Sequence, residues 1–129
     1  MNILVDSSVW IDYFRTGVGS QDIDKYIDQN IICINDLILA ELVPFLRIKK
    51  QNKVIKLLNE LKNIPLKINW HNIIDFQTAC IENGINKIGI PDLIIVDNVI
   101  QNDLILYTLD KHFKLMQKRI NFSIVDPLP

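Results

Sequence analysis

Four short apolar runs recur along the chain, separated by longer segments in which apolar residues return every three or four positions. The runs are residues 3–5, 31–34, 104–107 and 122–125, and none contains a charged side chain. Uninterrupted apolar runs of this length are typical of strands buried on both faces, as in a parallel sheet. Because strand and helix patterns alternate, we predict an α/β fold, specifically an α/β/α sandwich around a central, mainly parallel sheet.

The helical periodicity predicts helices over residues 9–14, 48–61, 70–83 and 92–101. Another helix is expected to begin near residue 36, and Pro44 lies inside it, which predicts a kink or break there. Residues 64–68 contain a proline and are expected to form an edge strand or a loop. The loop after the third apolar run is predicted to extend to Phe113, with a short helix after it.

Length and composition bound the class of protein. At 129 residues with 49% hydrophobic side chains, the chain is predicted to fold as a single domain over residues 1–129. Its apolar stretches are too short to cross a membrane, and Asp6 interrupts the N-terminal one, so neither a membrane span nor a signal peptide is expected. Cys33 and Cys80 lack the spacing of a zinc site, and we predict buried free thiols of a cytoplasmic protein.

Basic residues are concentrated in one part of the chain. The formal net charge of −1 does not indicate nucleic-acid binding, yet residues 47–67 hold seven bases against one acid, Glu60. A polyanion such as an RNA backbone could bind there, or these side chains could form only a solvated helix face. The residues predicted to contact RNA are Arg47, Lys49, Lys50, Lys53 and Lys56.

Four acidic residues fall where the predicted fold brings its strand ends together. Asp6 follows the first strand, Asp110 follows the third apolar run, and Glu41 and Asp92 lie on adjoining helices. Parallel strands end at one edge of a sheet, so we expect these carboxylates to converge. A hard divalent cation, Mg²⁺ or Mn²⁺, would relieve their repulsion. Such ions activate water for attack on a phosphodiester, which indicates a nuclease.

The sequence resembles PIN-domain ribonucleases and, within that group, VapC-like toxins of VapBC toxin–antitoxin pairs. The matching segments follow the order of the family: Val5-Asp6-Ser-Ser-Val-Trp-Ile-Asp12, Leu39-Ala-Glu41-Leu, Ile90-Pro-Asp92-Leu-Ile-Ile and Tyr107-Thr-Leu-Asp110-Lys-His-Phe113. The resemblance implies a PIN-like sandwich, metal-dependent cleavage of RNA in the cytoplasm and a VapB-like antitoxin as partner. It also implies a homodimer, for which the apolar helix 92–101 is a candidate interface.

The resemblance assigns roles residue by residue. Asp6, Glu41, Asp92 and Asp110 take the places of the family's acidic quartet, with Asp6 and Asp92 as the firmest metal ligands, and Ser8 supports the site. Asp97 departs from the family, which has a small residue there. Five helical residues separate it from Asp92 by about 140°, so we expect it to face away from the site, with a partner chain as a candidate neighbour.

Alternative interpretations remain open for single residues. Asp6 alone could be only a helix cap, and His112, a loop histidine beside a phenylalanine, is expected to be structural. Four large apolar residues are expected mostly in the core, with some lining a groove for an antitoxin helix. These residues are Trp10, Phe14, Phe45 and Leu46.

Other functions are considered beside the toxin nuclease. A housekeeping RNA-processing nuclease, or an inert PIN scaffold that only binds RNA or protein, would share the fold. A receiver-like signalling module requires an acidic pair after the first strand, and a dehalogenase-type phosphatase requires Asp-x-Asp there. Both are disfavoured because Ser7 and Ser8 follow Asp6.

Overall fold

The structure, a computed structural model, describes residues 2–125 and places a five-stranded sheet between layers of helices. The strands are β1 (Ile3–Val5), β2 (Ile32–Ile34), β3 (Lys62–Asn63), β4 (Ile105–Tyr107) and β5 (Ser123–Ile124). The helices are α1 (Ser7–Arg15), α2 (Ile23–Asp28), α3 (Asp36–Ile48), α4 (Asn52–Glu60), α5 (Trp70–Glu82), α6 (Ile90–Gln101) and α7 (Lys111–Met116). The strand order is β3-β2-β1-β4-β5 and every pair is parallel, which confirms the predicted α/β/α sandwich.

Strand β1 occupies the centre of the sheet because all three of its residues are apolar and can be buried on both faces. It pairs with β2 through Ile3 and Ile32, and with β4 through Val5 and Tyr107. The pairing of Val5 with Tyr107 determines where β1 and β4 leave the sheet. The residues that follow, Asp6 and Thr108, leave the sheet side by side.

The core contains Trp10, which is fully buried, and Leu46, which is 2% exposed. Phe14 stacks on Trp10 with 5.7 Å between the ring centroids. Phe45, by contrast, is 51% exposed. Cys33 is a free buried thiol, and so is the second cysteine, as the composition predicted.

The helix that contains Pro44 runs continuously from Asp36 to Ile48, so of the kink or break predicted there the break is wrong. Proline removes one backbone hydrogen bond, but Leu42 and Leu46 on either side are each only 2% exposed, and their burial holds the helix together. The next helix therefore begins at Asn52 rather than residue 48. Lys50 separates the two helices with a left-handed φ of 55°.

The edge strand lies earlier than residues 64–68. The backbone N–H of Ile64 donates to the carbonyl of Ile34 over 2.7 Å, which continues the pairing of β3 with β2. Pro65 has no N–H group, so the ladder ends there. Residues 64–69 form a loop instead, one of the two structures predicted for this segment.

Helix α6 is part of the core, and this changes two expectations. Six of its residues are buried within the chain, so most of the apolar helix 92–101 is not available as a dimer interface and Ile100 is its exposed large apolar side chain. Asp97 is 2% exposed and accepts hydrogen bonds from Asn72 (3.1 Å) and Gln101 (2.7 Å). It therefore faces α5, and the suggested neighbour in a partner chain is wrong. Among residues 2–125, no helix combines the length and apolar character that a bilayer crossing needs.

Candidate active site

Asp6 lies at the carboxyl end of β1. It is both a helix cap and a member of the acidic cluster, which consists of Asp6, Glu41, Asp92 and Asp110. Its Oδ1 accepts from the backbone N–H of Val9 at 3.3 Å, which caps α1, and from the hydroxyl of Ser8 at 2.5 Å. Its Oδ2 accepts from the hydroxyl of Thr108 at 2.5 Å. An ionised carboxylate offers about four lone-pair sites, so Oδ2 keeps one available for a further partner.

Thr108 is a site residue that the sequence analysis missed. Besides binding Asp6, its Oγ1 accepts from the backbone N–H of Asp110 at 3.0 Å. Ser8 makes a parallel connection, because its Oγ accepts from the backbone N–H of Leu109 at 3.0 Å. Two hydroxyls thus join the end of β1 to the connection between β4 and α7. The pairing of Val5 with Tyr107 is the signal that could have identified Thr108, since it puts Thr108 beside Asp6.

Asp110 is the N-cap of α7, so the predicted loop through Phe113 is wrong. Its Oδ1 accepts from the backbone N–H of His112 at 2.9 Å and lies 3.2 Å from Nδ1 of the same residue. This local capping bond outweighs the loop-like composition, and the helix starts at Lys111. The histidine expected to be structural therefore contacts an acid of the site.

Asp92 lies in the first turn of α6, after Gly89 and Pro91, with Pro91 near the helix start where its missing N–H costs little. Asp92, Asp110 and His112 each offer one ligand atom, and these three atoms all lie within 4.8 Å of one another. This is the separation that a single bound cation could bridge. The sequence predicted the two carboxylates here but not the imidazole.

Glu41 projects from α3 and is more exposed than Asp6 or Asp92. Partial burial raises its pKa, and the negative charges of Asp92 and Asp6 raise it further. The structure therefore brings Glu41 close enough to the other acids for their charges to interact.

The acids repel one another. Burial raises the pKa of Asp6 despite its hydrogen bonds, and the charge of Asp110 adds to this. Burial, followed by the charge of Asp110, raises the pKa of Asp92, while His112 opposes the increase. Oxygen donors held close together with an excess of negative charge form a donor set that suits a hard divalent cation. The residues present therefore fit a divalent metal ion.

One of the basic residues predicted to bind RNA lies beside an acid of the site. Lys49 lines the same depression as Glu41. The others are exposed, and their side chains make no hydrogen bond or ion pair with any residue between 2 and 125: Arg47, Lys50, Lys53 and Lys56. Their role remains a prediction.

Comparisons with known proteins agree with this geometry. A protein-family model described as PIN domain matches residues 3–119. Among solved structures, the chain is similar to VapBC2 from Rickettsia felis bound to a DNA fragment from their promoter (20% identity, 97% of this chain and 98% of that chain, TM-score 0.76). It is also similar to DNA-bound VapBC from Salmonella typhimurium (13% identity, 98% of each chain, TM-score 0.77).

A third similar structure is VapBC-1 from nontypeable Haemophilus influenzae (18% identity, 98% of each chain, TM-score 0.75). At these identities the likeness establishes the fold. A search of curated proteins finds no significant match.

Proposed function

The chain belongs to the PIN domain family, and on that basis we propose that it is a metal-dependent endoribonuclease, the toxin of a toxin–antitoxin pair that acts on RNA in the cytoplasm. The observation that carries the proposal is the acidic cluster at the end of β1. Asp92, Asp110 and His112 present ligand atoms within 4.8 Å, and the charges of Asp6 and Glu41 act on the same cluster. Within residues 2–125, His112 is the basic side chain that opposes the raised pKa of Asp92.

Asp6, Asp92 and Asp110 would hold Mg²⁺ or Mn²⁺, with Glu41 completing the acidic set. The cation would supply Lewis-acid chemistry, lowering the pKa of a water and stabilising charge on the phosphate oxygens. Ser8 and Thr108 keep Asp6 in one orientation by donating to both of its oxygens. Such supporting bonds typically change metal affinity or activity 10- to 100-fold when lost.

His112 and Thr108 orient the second carboxylate. The ring Nδ1 of His112 lies 3.2 Å from Oδ1 of Asp110, and Thr108 accepts from the Asp110 backbone. Both acids that flank the strand ends are therefore held by groups of this chain. A preorganised set of carboxylates would place the scissile phosphodiester without rearrangement of the site.

An antitoxin segment would bind in the groove between α1 and α3, which has a volume of about 520 Å³. Ile11 and Phe45 line it and are 41% and 51% exposed. These side chains suit the apolar face of an amphipathic helix, and Glu41 at the groove lets the occupant reach the site. The similarity to VapBC structures supports an antitoxin as partner. We expect Phe45→Asp to weaken the complex with the antitoxin, whereas Val18→Asp, at an exposed loop position, should not.

A second copy of the chain would dock on α5. Three of its apolar side chains are well exposed, namely Trp70 (57%), Ile74 (62%) and Ile81 (61%), with Ile90 beside them. Light scattering during size exclusion tests this proposal. Ile74→Asp should convert a dimer into a monomer, and an unchanged mass would reject this face as the interface.

RNA cleavage by the purified protein, with antitoxin removed, tests the proposed activity. We expect cuts at discrete sites with Mg²⁺ or Mn²⁺, and none after chelation with EDTA or with Asp6→Asn. Asp75→Asn is the matched control, since Asp75 is exposed on α5 and remote from these contacts. Equal cutting by wild type and Asp6→Asn would reject the proposed site.

A further inference from the structure

The segment after Asp110 carries a concentration of positive charge that the sequence analysis passed over. Residues 111–119 contain four bases and a histidine, and no acid. The bases are Lys111, Lys114, Lys118 and Arg119. All four are exposed. Within residues 2–125, the one ion pair is that of His112 with Asp110, so these cations have no carboxylate partner there.

A groove lies between this segment and the loop that follows α5. We call it the α7 groove, and its volume is about 590 Å³. Its basic lining consists of His112, Lys118 and Arg119, and its amide lining of Asn83 and Asn86. The groove thus offers basic groups and hydrogen-bond donors beside an apolar lining from Ile85 and Leu115.

The α7 groove is connected to the acidic cluster through His112. The same side chain lines the groove and lies 3.2 Å from Oδ1 of Asp110. The groove at Glu41 on α3 differs, because its exposed lining is mainly apolar and includes Ile11 and Phe45. Two surfaces of different composition therefore meet the site: one is mainly apolar, with Arg15 and Lys49 at its edge, and the other combines basic, amide and apolar side chains.

Binding of a phosphate beside acidic residues is favoured when cations lie nearby. A polyanion approaching the carboxylates is repelled by them, and neighbouring lysine and arginine side chains offset that repulsion. Arginine also binds phosphate oxygens through two parallel N–H groups. The exposed Leu115 in the groove wall, 38% exposed, can contact an unstacked base.

We propose that the α7 groove binds the phosphodiester backbone of single-stranded RNA on one side of the scissile bond, with Lys118 and Arg119 contacting phosphates. The inference rests on the proposed function, because it assigns the substrate path of the same site. It also assigns to the segment 111–119 the role that the sequence analysis gave to residues 47–56.

Fluorescence anisotropy with a labelled oligouridylate tests the proposal, using Asp6→Asn protein so that the RNA stays intact. The test variant adds Lys118→Ala and Arg119→Ala, and the matched control adds Lys53→Ala and Lys56→Ala, which remove the same charge from α4. We expect the α7 variant to bind at least about tenfold more weakly. The slope of log affinity against log salt should fall by about 1.4, or 0.7 for each lost phosphate contact.

The alternative outcomes are distinct. Weaker binding by the α4 variant, with the α7 variant unchanged, would overturn the proposal and support the α4 lysines. Binding by the parent protein that neither variant weakens would also overturn it. No RNA binding by any protein would reject the proposed function together with this inference. As a folding control, Lys118→Ala and Arg119→Ala are also introduced into protein that keeps Asp6. An unchanged thermal shift with Mn²⁺ would show that this variant folds and keeps the metal site.

Discussion

Asn35 donates from Nδ2 to Oδ1 of Asn98 over 3.0 Å, and the two side chains are 0% and 3% exposed. Asn35 caps α3, the helix that carries Glu41. Asn98 lies on α6, the helix that carries Asp92. One buried amide pair therefore connects the two helices that bring acids to the site from outside the strand ends. Buried polar groups paired in this way fix the relative position of the elements they join.

Replacing Asn98 with leucine should lower the free energy of unfolding by roughly 2–3 kcal/mol. The change leaves Nδ2 of Asn35 without its partner, and it removes the donor to the carbonyl of Pro65 at 3.1 Å. Urea denaturation measures the loss. Asn59→Leu on the exposed face of α4 is the control and should change stability little. Equal effects of the two substitutions would show that the amide pair contributes nothing specific.

Asp6→Asn should stabilise the metal-free protein at about pH 8. Burial raises the pKa of Asp6 above its unfolded value, so the ionised group destabilises the folded state at pH values above the folded pKa. The stability that the protonated Asp6 side chain contributes is fully present below the unfolded pKa and is lost as pH rises through the folded pKa. Thermal unfolding of both proteins in EDTA, from about pH 8 down to about pH 5, should show the difference shrinking.

Asp75→Asn serves as the control for that series, because its exposed carboxylate makes no hydrogen bond with any residue in the described part of the chain. A stability difference between Asp6→Asn and wild type that grows toward low pH would contradict the raised pKa of Asp6.

Thr108→Val should lower the rate of RNA cleavage by about 10- to 100-fold. The substitution preserves shape but removes the hydroxyl that donates to Asp6 and accepts from the Asp110 backbone. Because these bonds orient the acids, the loss should appear mainly in kcat and in the Mn²⁺ affinity, with a small change in KM. Thr78→Val removes a hydroxyl that bonds only the Ile74 carbonyl on exposed α5 and should leave cleavage unchanged.

Divalent cations should stabilise the folded protein. Binding at 100 times the dissociation constant adds about 2.7 kcal/mol to the free energy of unfolding, which a thermal shift with Mn²⁺ measures. Asp92→Asn should abolish the shift, since Asp92 supplies one of the three ligand atoms within 4.8 Å. Glu41→Gln should only reduce it, because Glu41 supplies none of those three ligand atoms. A full shift in Asp92→Asn would place the cation elsewhere.

The central part of the fold could be predicted because its signals are local. Strands β1, β2 and β4 are apolar runs, and burial on both faces requires that composition. The start of α7 could not be predicted from composition, since a single capping bond from Asp110 determines it. Pro44 shows the opposite case, in which tertiary burial of neighbouring leucines outweighs a strong local signal.

The site could be predicted only as far as its acids. Strand ends at one sheet edge, together with the resemblance, identified four carboxylates that the structure brings near one another. Thr108 was missed because a lone hydroxyl has no sequence pattern of its own. Its role depends on strand pairing that brings it to Asp6, which lies 102 residues earlier in the chain. His112 was undervalued because its contact with Asp110 appears only once the helix cap is known.

The bond between Asp6 and Thr108 also has a consequence for synthesis on the ribosome. The first acid is made within the opening residues, yet its second hydroxyl donor and Asp110 arrive only after another hundred. A nascent chain would therefore lack the complete set of acidic residues until residues 108–110 have been made. Residues 1–100 expressed alone should cleave no RNA, and cleavage by that fragment would show that Thr108 and Asp110 are dispensable.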